Sequence, residues 1–271
     1  MKNMIYALVI VMVFFTACET DPREIWIYSI LDAKIKLANP NAGGDSPNRP
    51  VLLLIRMDIG DLSKTGNNYL RLLEVIGDSG LYAKIFLDSS KIVNTTVFTA
   101  PPLNKAVKGM DKILGISLPQ STKSVIADKN GNSPFFFYEN LLNVDGGNYS
   151  ITKIGDNAFS LCKDLMINGL HNVKTVGKEA FRGCENIEYM YFYHLETIGD
   201  NAFFDCSSLQ KLTMEMNKPP KLGCGVFLGS TPASFTISVK AENEDIYRAW
   251  LLENALNFNN NGKDIVIEII K

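Results

Sequence analysis

The chain has 271 residues, of which 46% are hydrophobic, and a formal charge of −2 from 27 basic and 29 acidic residues. This length allows one or two domains with a buried core, and the near-neutral charge gives no reason to expect nucleic acid as a partner. The two histidines, His171 and His194, leave little material for a zinc site or a histidine base, so we expect no metal and no cofactor.

The first eighteen residues have the parts of an export signal. Lys2 gives a positive start, residues 4–15 form an unbroken apolar run, and Thr16 and Ala17 precede Cys18. The run is shorter than the roughly 20 residues that cross a bilayer, so residues 1–17 are predicted to be a signal peptide. The segment 15–18 resembles the lipobox of bacterial lipoproteins, which implies cleavage before Cys18 and lipidation of that cysteine. The alternative is an ordinary secretory peptide followed by an incidental cysteine.

Residues 18–48 are predicted to form the lipidated N-terminus and a tether. Prolines, glycines and polar residues make the part from Ala38 to Arg49 resemble a flexible linker. Glu19, Asp21 and Glu24 follow the cysteine closely. They partly match the acidic pattern that marks lipoproteins of some Gram-negative groups for the cell surface. We therefore expect an outer-membrane lipoprotein that faces outward.

Residues 49–95 are predicted to form an N-terminal cap. Val51–Ile59 has the pattern of a strand, Asn68–Ile76 that of a helix, and Ala83–Asp88 that of a second strand, which gives a β-α-β unit. Residues 96–148 are predicted to be a degenerate, irregular repeat region, in which residues 113–119 resemble the strand and proline of an earlier unit.

A repeat occupies residues 149–230. The segment Ile154–Phe159 returns at Val176–Phe181 and at Ile198–Phe203 with a spacing of 22 residues, and a looser fourth copy spans Leu222–Phe227. Such a period is typical of a leucine-rich solenoid, in which each coil buries its apolar face only against its neighbours. The sequence thus predicts an α/β repeat fold: a short leucine-rich-repeat solenoid with β-α-β-like caps at both ends.

The positions within a unit can be assigned to faces. Each Phe of the repeat is followed three residues later by Cys162, Cys184 or Cys206, and a strand with alternating faces comes next. Its predicted inward residues are Ile187, Met190 and Phe192 in one unit, and Leu209, Leu212 and Met214 in the next. The first unit departs from this pattern with Asn168 at an inward position. The glycine of the repeat is expected to permit a tight turn, and the Ala-Phe pair to lie on a short helical turn.

The pattern I-G-x-x-A-F-x-x-C-x-x-L resembles the BspA-type, or Treponema-type, leucine-rich-repeat family of bacterial surface proteins. The resemblance is clear over residues 149–229 and implies an adhesin or host-interaction protein. It also implies that the cysteines form a buried ladder of thiols. Stacked coils about 5 Å apart would equally allow disulfides between neighbours, so the redox state of Cys162, Cys184, Cys206 and Cys224 stays open.

Residues 231–271 are predicted to close the array as a C-terminal cap. The elements expected are a strand at Phe235–Val239, a helix at Asp245–Ala255, a turn at 259–262 and a strand at Ile265–Ile270.

The outward residues of two repeat strands are the candidate ligand-binding face. They are Glu188, Tyr189, Tyr191, Tyr193, Gln210, Lys211, Thr213 and Glu215. Solenoids bind through such a concave sheet, and exposed tyrosines supply large contact areas. The alternative is that these tyrosines are good strand formers that stack across coils. His171 and His194 fall in equivalent loops, where solvated side chains are expected.

The sequence contains no hydrolase, zinc-protease, dinucleotide or phosphate-loop motif. We therefore expect a lipid-anchored binding protein without catalysis. Its partner is expected to be a protein or glycan, with a host molecule as the leading case, and its membrane contact the lipid anchor. One alternative is a structural or assembly component of the envelope. The other is a glycan-processing enzyme with a carboxylate pair that only the fold would bring together.

Overall fold

The computed structural model describes residues 24–99, 106–127, 133–135, 138–145, 150–167, 170–230, 235–258 and 265–270. The strands are β1 Glu24–Ile27, β2 Val51–Ile55, β3 Ala83–Phe86, β4 Val97–Thr99, β5 Ile113–Ser117, β6 Ser124–Ile126, β7 Asn143–Asp145, β8 Lys153–Ile154, β9 Thr175–Val176, β10 Tyr189–Phe192, β11 Thr197–Ile198, β12 Lys211–Met214, β13 Lys221–Leu222, β14 Phe235–Lys240 and β15 Ile265–Ile270. The helices are α1 Ile30–Leu37, α2 Asn68–Ser79 and α3 Glu244–Glu253. None of these helices is long and apolar enough to span a bilayer.

Three parallel sheets run along the stack of coils. The N-terminal sheet has the order β1-β2-β3-β5-β7, and the C-terminal sheet has the order β10-β12-β14-β15. The third sheet, with the order β4-β6-β8-β9-β11-β13, lies on another side of the same coils. It is here called the narrow sheet, because its strands are only two or three residues long. Because each strand pairs with the corresponding strand of the adjacent coil, the chain is a repeat-containing α/β fold, which confirms the predicted fold class.

The N-terminal and C-terminal sheets are separated at the first regular repeat unit. Among the described residues of 165–170 there is no strand. One hydrogen bond joins this segment to each side: Met166 N donates to Leu142 O over 2.8 Å, and Leu170 N donates to Tyr191 O over 3.2 Å. The narrow sheet passes the same point without interruption, since β8 pairs with β9. Asn168, which marks this unit in the sequence, lies outside the described residues.

A stack of phenylalanine rings forms the centre of the core. The ring planes of successive members are tilted by 5–14° and their centroids are 4.9–5.6 Å apart. The members of this phenylalanine stack are Phe98, Phe135, Phe159, Phe181, Phe203, Phe227 and Phe258. Tyr69 of α2 meets Phe98 edge-on at 5.7 Å. Aromatic pairs contribute about 0.5–1.5 kcal/mol each beyond their buried area, so the stack ties the regular repeats to both ends of the chain.

The glycines of the repeat have a different role from the one predicted. Gly177 and Gly199 do not have a positive φ; the left-handed residues are Glu179 and Asn201, two places later. A Cβ atom on Gly199 would lie only 2.6 Å from the backbone nitrogen of Lys178 in the preceding coil. The glycine is therefore required by the close approach of two backbones. The expected turn is present, since Ala202 N donates to Gly199 O over 3.3 Å, but it does not need a positive φ at the glycine.

The Ala-Phe segment is a series of turns and no helix. Phe181 N donates to Ala202 O of the next coil over 2.8 Å, and Glu179 N and Gly183 N make equivalent bonds of 2.9 and 2.8 Å. Alternate N–H groups thus point along the stack, whereas the intervening Arg182 N closes a turn onto Glu179 O. These turns give each pair of regular coils a further strip of hydrogen bonds.

The elements expected in both caps are present. At the N-terminal end, β2, α2 and β3 match the prediction, although β2 stops at Ile55 and its neighbours continue the N-terminal sheet. At the other end, β14, α3 and β15 follow in the predicted order. The turn predicted at 259–262 lies outside the described residues. The domain boundaries themselves stay predictions.

The tether predicted for residues 18–48 was wrong for residues 24–37. Strand β1 pairs with β2, and α1 begins after Ser29, whose hydroxyl accepts the N–H of Asp32 over 3.1 Å. Ile27 and Ala33 are fully buried. The helix-capping serine and the short apolar pattern outweigh the loop-like composition that follows them. Similarly, residues 96–148 contain β4 to β7 in the same alternation between sheets as the regular repeats.

Candidate binding surface

The outward face of β10 carries the exposed tyrosines. Along this strand Met190 and Phe192 are buried, whereas Tyr189 and Tyr191 are 39% and 37% exposed, and Tyr193 just after it is 37% exposed. This alternation follows from the period of two in a strand. The inward positions predicted for both repeat strands are confirmed, since all six of their apolar residues are buried.

Parallel pairing extends each outward position into a row across the C-terminal sheet. Tyr191 pairs with Thr213, Thr213 with Ser238, and Ser238 with Glu268. The two middle members are buried, with Thr213 7% and Ser238 1% exposed, whereas Glu268 is exposed. Thr213 and Ser238 therefore form a floor. Tyr191 is the aromatic wall on one side of it, and Glu268 is the acidic wall on the other.

A depression of about 480 Å³ lies over this floor. It is lined by Tyr191, Tyr193, Lys211, Thr213, Glu215, Ser238, Glu268, Ile269 and Ile270. An adjoining open depression of about 710 Å³ shares Tyr193 and Glu215 and includes His194, Lys218, Lys221 and Lys240. The two hollows thus form one surface along the carboxyl ends of β10, β12 and β14. It offers aromatic rings together with charges of both signs.

An ion pair crosses the first depression. Lys211 Nζ lies 2.5 Å from Glu268 Oε2, and the hydroxyl of Ser238 donates to the same carboxylate oxygen over 2.8 Å. The Lys211 and Ser238 hydrogen bonds lower the pKa of Glu268 below its ordinary value. Lys211 therefore holds the edge strand β15 against β12 across β14, and its charge is partly neutralised within the protein.

The predicted site residues fall into two groups. The first group lines the first depression and consists of Tyr191, Tyr193, Lys211, Thr213 and Glu215.

The other predicted residues lie elsewhere on the sheet. Tyr189 is on the same face but outside the lining, and Glu188 and Gln210 stand just before their strands. The backbone carbonyl of Glu188 accepts the N–H of Gln210 over 2.9 Å, so these two residues join the coils through their backbones. Sequence reasoning missed Ser238 and Glu268, which the parallel pairing of β14 and β15 adds to the row.

The histidines take unequal positions. The ring of His171 stacks on Tyr193 with centroids 5.1 Å apart, which supports the tyrosine at one end of the aromatic row. His194 is exposed at the second depression. In the part of the chain that the structure describes, no group of three or more His, Cys, Asp and Glu side chains is arranged to hold a metal ion.

Three of the cysteines form the expected ladder of thiols. Cys184 Sγ donates to Phe159 O over 3.1 Å and Cys206 Sγ donates to Phe181 O over 3.0 Å, both in the preceding coil. Cys162, Cys184 and Cys206 are buried and free, whereas Cys224 is free and exposed. Burial raises the pKa of Cys162 and Cys206 to about 12, so these thiols stay protonated at neutral pH. Cys18, the predicted lipidation site, lies outside the described residues.

The repeats match a known protein family. Residues 105–248 match the family model described as a BspA-type leucine-rich repeat region, in six copies. A search of curated proteins gave no match. A solved structure, that of a leucine-rich repeat protein of Treponema pallidum, is similar with a TM-score of 0.42 and 15% identity, over 83% of this chain and 95% of that chain. Because the family model spans more than half of its residues, the chain belongs to the BspA-type leucine-rich-repeat family.

Proposed function

We propose that this protein is a lipid-anchored binding protein of the bacterial cell envelope, which faces outward and recognises a protein or glycan without catalysing a reaction. The observation that carries the proposal is the row of Tyr189, Tyr191 and Tyr193 on the outward face of β10, beside the depression of about 480 Å³. Tyrosine combines a large contact area with a hydroxyl and few rotatable bonds, and is enriched where binding energy concentrates.

The chemistry of the surface suits an amphipathic ligand. Aromatic faces stack on apolar chain segments or on the C–H faces of sugars, while Glu215 and the Lys211–Glu268 pair offer hydrogen bonds nearby. The family membership is consistent with a binding repeat protein. A host macromolecule is the leading candidate for the ligand.

The anchor and the orientation are tested on cells. Metabolic labelling with an alkyne-tagged fatty acid should mark the native chain and not a Cys18→Ala variant. A protease added to intact cells should then remove the labelled protein while a known periplasmic control survives. Survival of both proteins would place the chain in the periplasm and support an assembly role for it. Equal labelling of the native and Cys18→Ala chains would disprove lipidation at this cysteine.

The tyrosine face is tested by binding. Soluble protein that begins at residue 19 is screened against arrays of matrix proteins and glycans, and the strongest ligand is titrated against the same chain with Tyr189→Ala and Tyr191→Ala. We expect affinity to fall about tenfold or more, since truncating an aromatic anchor costs on the order of 2 kcal/mol. Tyr28→Ala removes an exposed tyrosine at the other end of the stack and serves as the matched control. Unchanged affinity of the double variant would exclude this face as the site.

A further inference from the structure

Helix α1 exposes an apolar ridge on the terminal coil of the stack. Tyr28, Leu31 and Ile35 are 61%, 67% and 66% exposed. Leu31 and Ile35 are four residues apart and so lie on one side of the helix. The ring of Tyr28 lies 5.5 Å from Nζ of Lys36 in the last turn, which places the tyrosine along the same helix. Tyr28, Leu31 and Ile35 are the exposed apolar residues of this segment and are here called the α1 ridge.

This ridge is not the face by which α1 packs on the protein. The opposite positions, Ala33 and Leu37, are buried in the core. Helix α2, the next helix of the chain, is exposed through the charged residues Arg71, Glu74 and Asp78. Of these two neighbouring helices only α1 has an apolar outer face, although α3 in the C-terminal cap also exposes Ile246 and Leu252. Strand β1 beside α1 is the outermost strand of the N-terminal sheet.

Charged side chains on α1 flank the α1 ridge. The carboxylate of Asp32 is paired with Lys36 at 3.1 Å and also accepts the N–H of Tyr28. Lys34 is exposed and lies near Asp78 of α2, whose pKa is lowered by Lys108 and, to a smaller extent, by Lys34. Apolar side chains combined with a tyrosine and lysines are the composition of helices that lie in the interface of a lipid bilayer.

The short chain between the α1 ridge and the proposed lipid anchor indicates what the ridge contacts. Five residues, 19–23, separate Cys18 from Glu24 at the start of β1. At about 3.3–3.6 Å per residue, this segment holds β1 within about 20 Å of the acylated cysteine. We propose that the α1 ridge rests on the lipid surface in which Cys18 is anchored, an inference that depends on the lipid anchor of the proposed function.

This contact would hold the terminal coil close to the bilayer. Six coil steps separate β1 from β10, which at about 4.8 Å per step puts the tyrosine strand about 29 Å along the stack from the first strand. The α1 ridge and the tyrosine face are therefore separate surfaces of the stack.

The test uses a tryptophan reporter in the acylated full-length protein. Trp26 and Trp250 are replaced by Phe, and tryptophan is introduced by Leu31→Trp in one chain and by Leu252→Trp in another. Leu252 is 81% exposed on α3 in the C-terminal cap and is the matched control. Each protein is reconstituted into vesicles of phosphatidylcholine and phosphatidylglycerol with brominated acyl chains, and vesicle binding is checked by flotation.

We expect the Leu31→Trp emission to shift to the blue and to fall by about half, because the ring enters the interface, while the Leu252→Trp emission stays unquenched. Adding Ile35→Asp to the Leu31→Trp chain should relieve the quenching without loss of flotation. Flotation without quenching at position 31 would overturn the contact and leave the anchor intact. Equal quenching at both positions, or quenching unaffected by Ile35→Asp, would also overturn it. Failure to float would disprove the anchor and the contact together.

Discussion

Ser230 holds the place in its coil that Cys206 holds in the preceding one. The hydroxyl of Ser230 donates to the carbonyl of Phe203, as the thiol of Cys206 donates to the carbonyl of Phe181 over 3.0 Å. Ser230 Oγ also accepts the backbone N–H of Cys206 over 2.7 Å. Both side chains are small, and both donate one hydrogen bond to the preceding coil. This position therefore requires a buried hydrogen-bond donor rather than a sulfur atom.

Substitutions at Cys184 test this interpretation. Cys184→Ser keeps a donor toward Phe159 O, whereas Cys184→Ala removes it and leaves a small cavity. We expect the alanine variant to lose about 1–2 kcal/mol of unfolding free energy and the serine variant less, as measured by urea denaturation. A serine variant less stable than the alanine variant would show that apolar packing, and not the hydrogen bond, determines this position.

The ladder thiols make stability depend on alkaline pH. Burial raises the pKa of Cys162 and Cys206 to about 12 and raises that of Cys184 as well, from an ordinary value of 9.0 in the unfolded chain. Below about pH 9 the thiols are neutral in both states, and they contribute no pH dependence. Above it they ionise only in the unfolded chain, which stabilises that state, so the unfolding free energy should fall between about pH 9 and pH 12.

Urea midpoints measured across this pH range would reveal the effect. The buried tyrosines Tyr69 and Tyr247, whose pKa values are also raised by burial, contribute a decline of the same sign. The matched control is therefore a chain in which the three ladder cysteines are replaced by serine, which should show a shallower decline. Identical pH profiles for the two chains would mean that the thiols do not differ in ionisation between the folded and unfolded states.

Two glycine substitutions test whether Gly199 is required by the close approach of two coils. Gly199→Ala places a methyl group 2.6 Å from Lys178 N and forces the two coils apart, for which we expect a loss of about 1–3 kcal/mol or more in unfolding free energy. Gly115→Ala is the control, because its nearest neighbour is a Lys84 side-chain carbon at 3.5 Å. Thermal unfolding of both variants makes the comparison. If Gly199→Ala were as stable as Gly115→Ala, the inter-coil contact would have to be looser than described.

The sequence predicts those features that repeat at a fixed spacing. The stacked Phe159, Phe181 and Phe203 and the inward faces of β10 and β12 follow from the 22-residue period alone. Phe98 and Phe258 belong to the same stack but stand at irregular distances along the chain, because the intervening loops differ in length. Only the fold reveals that they occupy the same place in their coils.

The candidate site divides in the same way. Tyr191 and Lys211 can be placed on an outward face by counting along their strands. Ser238 and Glu268 come from the cap, and their approach to Lys211 depends on the pairing of β14 with β12 and of β15 with β14. Such parallel pairing over a long connection has no local signature in the sequence, so the acidic wall of the depression could not be predicted.

The separation of the N-terminal and C-terminal sheets makes the stack mechanically asymmetric. The N-terminal and C-terminal sheets lie on one side of the coils, here called the wide side. On this side the described residues of 165–170 share one hydrogen bond with β10, from Leu170 N to Tyr191 O. On the narrow side and along the turns the same two coils share several, including Gly177 N to Ile154 O and Phe159 N to Ala180 O. A bend that opens the wide side therefore breaks fewer bonds than one that opens the narrow side. The phenylalanine stack and the narrow sheet continue past this point and would act as the hinge of such a bend. The tyrosine strand β10 is the first strand on the C-terminal side of the separation.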